Sequence, residues 1–264
     1  MIGLNYLGKM GQLGNQMFQY ASLRGVAANR GFEFCIPNHD ELIVDVLGNK
    51  LRIELFDAFK LPYCEYKDMI QGPEVHEQGF TFCDPVFSKS PDNVTLVGYF
   101  QSEKYFKHIK DEIKEDFTFK NNIVKDCKDV LKYCNGSIAL HIRRGDFLRN
   151  SGNHYNLSLD YYEKALSKFD DDREVIIFTD DSEWVMKQDL FESDRFMVSD
   201  SNGPYHDLFL MSRCSDFIIA NSTFSWWGAW LADKGRVIAP SKWFGPNNAH
   251  LNTEDLYPDH WEVL

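Results

Sequence analysis

The sequence predicts an α/β fold built on parallel sheets, in two parts. From residue 137 onward, short apolar runs alternate with helical patterns of similar length, which is the rhythm of a parallel sheet covered on both faces. The runs themselves, such as Asp216-Phe217-Ile218-Ile219, are continuously apolar, as strands buried on both sides are. Before Asn135-Gly136 the pattern is less regular, so the boundary is placed there, giving parts 1–134 and 135–264.

In the first part Gly8, Gly11 and Gly14 precede a helical pattern through Met17, Phe18, Ala21, Leu23 and Val26, and a strand over 32–36 follows the Gly31 stop. Residues 37–97 read as irregular, with short strands. Residues 97–102 read as strand and turn, 103–116 and 121–134 as helices. In the second part strands are expected at 137–142, 174–179, 196–199, 216–220 and 236–239. Helices are expected at 159–169, 182–190 and 205–214, with a last, tryptophan-rich one after Asn221. An open parallel sheet binds ligands outside the carboxyl ends of its strands, so each motif is judged by whether it lies there.

The chain has 264 residues, 44% of them hydrophobic, enough for a substantial core. Its net charge of −12 argues against nucleic acid, and an anionic ligand needs a local arginine cluster. The start, Met1 to Tyr6, has no charged region followed by an apolar core, and no window reaches about 18 apolar residues. Neither a signal peptide nor a membrane span is expected, and a cytoplasmic location follows. The six scattered cysteines read as reduced thiols, with neither a disulfide frame nor a zinc site.

The most informative stretch is Ala220-Asn221-Ser222-Thr223-Phe224-Ser225-Trp226-Trp227-Gly228-Ala229-Trp230-Leu231. A strand turning sharply into a helix leaves the first helical N–H groups unpartnered, and these attract phosphate. Asn221, Ser222, Thr223 and Phe224 are accordingly assigned to the ligand, although Ser222 and Thr223 read equally as N-caps. Phe224, Trp227 and Leu231 share one helical face and read as core.

His141-Ile142-Arg143-Arg144-Gly145-Asp146 closes the first strand of the second part. Alternation sends Arg143 and Arg144 to opposite faces. Arg143 suits a phosphate through its bidentate fork, and Arg144 suits a ligand or a salt bridge with Asp146. At Asp180-Asp181 one carboxylate caps the next helix and the other, Asp181 in our assignment, accepts from a ligand. Asp207 reads as a first-turn acid complementing the helix dipole or as a reader of guanine N–H groups. Gly11-Gln12-Leu13-Gly14-Asn15-Gln16 matches neither the Walker pattern nor the dinucleotide fingerprint, but Asn15 and Gln16 can donate amide hydrogens to a ligand. Asp170-Asp171-Asp172 precedes a strand, at the wrong end for a cleft, and reads as a solvated turn; no divalent metal is expected.

Together these segments, with Gly98-Tyr99-Phe100-Gln101-Ser102-Glu103-Lys104-Tyr105-Phe106 and Pro240-Ser241-Lys242-Trp243-Phe244, resemble the family 11 glycosyltransferases, the bacterial α-1,2-fucosyltransferases. The resemblance implies a GT-B-like fold of two facing α/β domains with the nucleotide in the cleft and the acceptor handled by the first part. It implies inverting transfer of L-fucose from GDP-L-fucose to the 2-hydroxyl of a terminal galactoside without an essential metal. Surface polysaccharide or lipid-linked O-antigen is the implied acceptor, with loose association at the inner membrane face. The family motif carries over onto His141, Arg143, Arg144 and Asp146, with Arg143 against the β-phosphate. For the proton acceptor Asp146, His141, acids of the first part and the departing phosphate all stay open. Two rival readings are a transferase for another GDP-sugar or linkage and a non-catalytic carbohydrate-binding protein that uses the tryptophans as platforms.

Overall fold

The computed structural model describes residues 1–37, 42–44, 48, 50–62, 64, 66–67 and 69–264. The chain forms two compact units, one of Met1–Lys120 with Leu251–Pro258, the other of Asn121–His250 with Asp259–Leu264.

The first unit begins with β1 (Ile2–Gly3) and the glycine loop, then α1 (Leu13–Arg30) and β2 (Phe34–Pro37). Leu13, Met17, Phe18, Tyr20, Leu23 and Val26 bury α1, and Gly31 ends it in the left-handed region, its N–H returned to Ala27 and Ala28. Gly25 is required because a Cβ there would sit 1.9 Å from the Tyr105 carbonyl oxygen. The stretch 37–97 lies partly outside the described residues. Within it come β3 (Ile43–Val44), β4 (Lys50–Leu51), α2 (Leu55–Ala58), β5 (Tyr66–Lys67), β6 (Glu74–His76), α3 (Asp84–Lys89) and β7 (Val94–Val97). The parallel sheet runs β5-β2-β1-β7-β6, and β3 and β4 pair antiparallel apart from it. A buried Asp116 is compensated by Arg24 at 2.9 Å and the Tyr20 hydroxyl at 3.0 Å.

The helix expected over 103–116 is instead two 3₁₀ turns, Glu103–Tyr105 and Lys107–Ile109, leading into α4 (Lys110–Asp116). Tyr105 and Phe106 are both fully buried, and seating both rings breaks the helix at Phe106, whose φ is −136°. Packing overrides propensity here.

The second unit comprises α5 (Asn121–Asp126), α6 (Leu131–Cys134), β8 (Ile138–Ile142), α7 (Gly145–Arg149), α8 (Leu159–Leu166), β9 (Val175–Thr179), α9 (Ser182–Val185), β10 (Phe196–Val198), α10 (Pro204–Met211), β11 (Asp216–Ile218), α11 (Thr223–Ala232), β12 (Val237–Ala239) and β13 (Glu262–Val263). The single helix expected over 121–134 is thus two, and the boundary expected at 134/135 lies at 120/121, because α5 and α6 pack against α10. Its sheet is parallel throughout, in the order β10-β9-β8-β11-β12-β13. From β8 the chain steps outward one way through β9 and β10, then returns to β11 and steps the other way. The reversal makes the carboxyl ends of β8 and β11 a topological switch point. Core residues Ile138, Leu140, Ile142, Val175, Ile177, Ile218 and Ile238 fill one face of this sheet.

Trp226 and Trp227 are fully buried, with ring centroids 5.0 Å apart, and Trp261 lies 5.3 Å from Trp226. Trp226, Trp227 and Trp230 are packing, whereas Phe224 and Leu231, read with Trp227 as one core face, are partly exposed.

Candidate active site

Ile142 of β8 pairs with Thr179 of β9, so Arg143 leaves its strand beside Asp180. The Arg143 guanidinium is held by two carboxylates, Nη2 at 2.7 Å from Asp146 and Nη1 at 3.0 Å from Asp180. Its side chain is 24% exposed, and the fork has five N–H donors, so it has hydrogens left for a ligand. A Cβ on Gly145 would lie 2.8 Å from Asp180 Oδ2, which explains the glycine between the arginines and Asp146. Sequence reasoning missed Asp180 as this partner. The parallel alignment of β8 with β9 would have pointed to it.

Arg144 turns the other way, as alternation predicts. Its Nε lies 3.0 Å from Asp181 Oδ2, and its guanidinium sits 3.9 Å over the Trp184 ring. The other Asp181 oxygen caps α9, accepting from the Trp184 N–H. Arg144 and Asp181, both expected at the ligand, are in this structure occupied with each other and with α9. The Arg144 N–H meanwhile donates to Asp180 at 2.8 Å.

At the neighbouring strand end, Ser222 is the N-cap of α11, with extended dihedrals and no capping bond from its hydroxyl. Ser222, Thr223 and Phe224 are partly exposed, so the first turn of α11 offers N–H groups that no side chain among the described residues caps. Asn221 does not join them. It is 3% exposed, and its Nδ2 donates to the Tyr155 and Trp243 carbonyls, both at 2.8 Å. The expectation of ligand contact there gives way to a structural one, because both amide hydrogens staple two loops beside α11.

His141 ties β8 to α11, its ring 5.6 Å from that of Phe224. It is 5% exposed, and burial, helped by the Arg143 charge, pushes its pKa down to about 3. A base that weak takes up no proton near neutrality, which argues against His141 as proton acceptor. His154, missed in the sequence, stacks on Phe147 at 4.1 Å with the rings 8° from parallel, and Arg143 lies 5.7 Å from the same ring. Burial lowers its pKa and Asp146 opposes that.

Asp207 lies in the first turn of α10, its carboxylate accepting from the Ser199 hydroxyl at 2.6 Å, and burial raises its pKa. Beside Ser199 and His206 opens a cavity of about 230 Å³ walled by Ile176, Val198 and Leu210.

In the first unit Gln16 is fully buried. Its Nε2 donates to the Gly11 and Arg52 carbonyls and its Oε1 accepts from the Glu54 N–H. With its amide spent on main chain, Gln16 holds the glycine loop and is not available to a ligand, contrary to expectation. Asn15 is partly exposed and its Oδ1 accepts from Gln101 Nε2 at 3.0 Å. Asp170, Asp171 and Asp172 are exposed in the turn before β9, at its amino end. Among the described residues no three His, Cys, Asp or Glu side chains are grouped to hold a metal ion, and no helix is long and apolar enough to cross a membrane.

The model of glycosyl transferase family 11 matches residues 1–264. An alpha-1,2-colitosyltransferase of Escherichia coli is 31% identical, with 95% of each chain covered. The O-antigen biosynthesis glycosyltransferase WbnK of Escherichia coli is 38% identical over 61% of this chain and 59% of its own. The galactoside 2-alpha-L-fucosyltransferase SEC1 of Bos taurus is 27% identical over 89% of this chain and 66% of its own. Among solved structures, POFUT1 in complex with GDP-fucose gives a TM-score of 0.55 at 12% identity, covering 88% of this chain and 94% of that one. The α-1,6-fucosyltransferase NodZ gives 0.51 at 14% identity, covering 91% and 94%. The fold is therefore that of the GT-B-like fucosyltransferases.

Proposed function

The chain belongs to glycosyl transferase family 11, and on that premise we propose that it transfers L-fucose from GDP-L-fucose to the 2-hydroxyl of a terminal galactoside, with inversion, in the assembly of a surface glycan such as an O-antigen. The observation that carries this is the pairing, at one switch point, of Arg143 with the uncapped first turn of α11. When the sugar leaves, negative charge gathers on the β-phosphate of GDP. A guanidinium and fixed N–H groups stabilise it in place. One such preorganised donor contributes about 2.7–4 kcal/mol, or about 10²–10³ in rate. Asp146 and Asp180 aim the guanidinium before the donor arrives, so little reorganisation is needed at the moment of reaction.

Asp207 is assigned to the guanine edge, with Ser199 fixing its carboxylate, and Asn15 to an oxygen of the donor. The apolar walls beside Ser199 suit the faces of a base. With the Arg143 guanidinium and the α11 amides assigned to the leaving group, the transfer is proposed to run without a divalent metal.

A second donor is favoured by one observation: the relative covered at 95% is named a colitosyltransferase with the same α-1,2 linkage. Colitose is L-fucose without the 3-hydroxyl, so the two readings differ by one oxygen. The carbohydrate-binding alternative loses its basis, since Trp226, Trp227 and Trp230 are buried and offer no platform.

The test is turnover of lactose with GDP-fucose, GDP-colitose and GDP-mannose, with and without chelator, followed by linkage analysis. Faster turnover with GDP-fucose, α-1,2 product and indifference to chelator are expected. Preference for GDP-colitose would reassign the donor, and strict dependence on added manganese would overturn the metal-free chemistry.

A further inference from the structure

In the first unit, α1 and the turn after β7 are joined by a small network of buried amides. Gln19, 2% exposed, donates through Nε2 to the Met10 and Gly98 carbonyls, both at 3.2 Å, tying the glycine loop to that turn. Glu77 shapes the turn itself. One of its oxygens accepts from the Tyr99 N–H at 3.0 Å and the Phe100 N–H at 2.7 Å, the other from the Tyr105 hydroxyl at 3.0 Å. Phe100 is thereby held at a φ of +53°, a left-handed conformation that a phenylalanine rarely adopts. Gly98 is glycine because a Cβ would lie 2.6 Å from the Glu77 Cβ.

The product of this arrangement is the position of the next residue. Gln101 is 6% exposed and its Nε2 donates to Asn15 Oδ1 at 3.0 Å, while its own Oε1 is buried with no hydrogen-bond partner among the described residues. An unsatisfied buried carbonyl is costly and suggests that the bond to Asn15 is what the residue is there for. An asparagine amide has one accepting and one donating end. With the accepting end held by Gln101, the donating Nδ2 is the end left over, and it lies above Gly11, where a Cβ would come within 2.2 Å of it.

We infer that Gln101 is a positioning residue that fixes the polarity of the Asn15 amide, so that Asn15 meets its ligand only as a donor, to an oxygen of a phosphate or of a sugar. This rests on the assignment of Asn15 to the donor made above. Glu77 and Gln19 act one step further out, by holding the turn that carries Gln101.

The test compares Asn15→Ala, Gln101→Met, the double variant and Gln101→Glu in the full chain, reading kcat and KM with the GDP-sugar that the unaltered enzyme uses, GDP affinity by calorimetry, and Tm. Gln101→Met should lower, by about tenfold, the same parameter that Asn15→Ala lowers, and the double variant should be no worse than Asn15→Ala alone. If the oxygen is a phosphate's, that parameter includes GDP affinity; if a sugar's, GDP affinity stays and the kinetics change. Gln101→Glu can only accept, turns the Asn15 carbonyl outward, and should be more damaging than Gln101→Met at matched Tm. Additive losses, or a Gln101→Met enzyme changed in Tm alone, would overturn the inference. Native behaviour of Asn15→Ala would instead remove Asn15 from the ligand, and absence of turnover with every GDP-sugar would remove the proposed reaction, while calorimetry with intact GDP-fucose, which carries both phosphate and sugar oxygens, still reads the Asn15–Gln101 cycle.

Discussion

Arg143 and Asp180 emerge side by side from adjacent parallel strands, 3.0 Å apart, and Asp146 closes on the same guanidinium from the following turn. The backbone of Gly145 leaves Asp180 the space it occupies. The chemistry proposed for this enzyme depends on that clamp, because an arginine already oriented loses little freedom on meeting a phosphate.

Arg143→Ala is expected to lower kcat by about 10²–10³ with far-ultraviolet circular dichroism unchanged. Arg143→Lys should recover little, since an ammonium is a point charge and cannot reproduce the planar fork that spans Asp146, Asp180 and a phosphate. A lysine variant with near-native kcat would show that charge alone suffices.

Gly145→Ala tests the clamp without touching the guanidinium. The added methyl displaces the Asp180 carboxylate, frees one side of Arg143 and should lower kcat about tenfold or more, as misplacement of a catalytic group by about 1 Å does. Native kinetics in this variant would mean that Asp180 does not orient Arg143.

Asn221→Ala separates support from contact. Two carbonyls lose their donor, so unfolding in denaturant should show a loss of about 1–3 kcal/mol, with GDP affinity little changed once the protein is folded. Reduced GDP affinity at native stability would place Asn221 on the ligand after all.

Glu77 gives a stability prediction with a definite sign. Burial raises its pKa from the ordinary 4.5 to about 7 against its three hydrogen bonds. Between those values the folded state holds a proton that the unfolded chain has released. The contribution is full below pH 4.5 and is lost as pH rises through 7, for a total of about 3 kcal/mol. Glu77→Gln removes the titration, so the stability difference between variant and parent should change over that window and be flat above it. A difference independent of pH would show that Glu77 titrates normally.

His141 should stay neutral from pH 5 to 8 in a nuclear magnetic resonance titration, given its pKa of about 3. Ring shifts that move with a midpoint near 6.5 would restore it as a proton acceptor.

Much of the second unit was legible because its strands are continuous apolar runs and its helices begin at recognisable caps. The carboxyl ends of those strands then pointed to Arg143 and Ser222, which the structure sets after the neighbouring parallel strands β8 and β11. What failed was long-range. The break at Phe106 follows from seating two large rings, a demand no local pattern encodes. Arg144 and Asp181 carry residue types that fit a ligand equally well, and only the placement of Trp184 shows them occupied. Gln16 and Asn221 resemble Asn15 in chemistry but are buried, and burial of a single polar side chain depends on neighbours distant in sequence. Asp180 was passed over for Asp181 because the choice between adjacent carboxylates rests on the direction of one side chain.

The most direct measurement is a crystal structure with GDP bound. The account predicts the β-phosphate within about 3.2 Å of the Arg143 guanidinium and of the main-chain N–H groups of Thr223 or Phe224. A β-phosphate coordinated elsewhere, with Arg143 still closed on Asp146 and Asp180 alone, would contradict it.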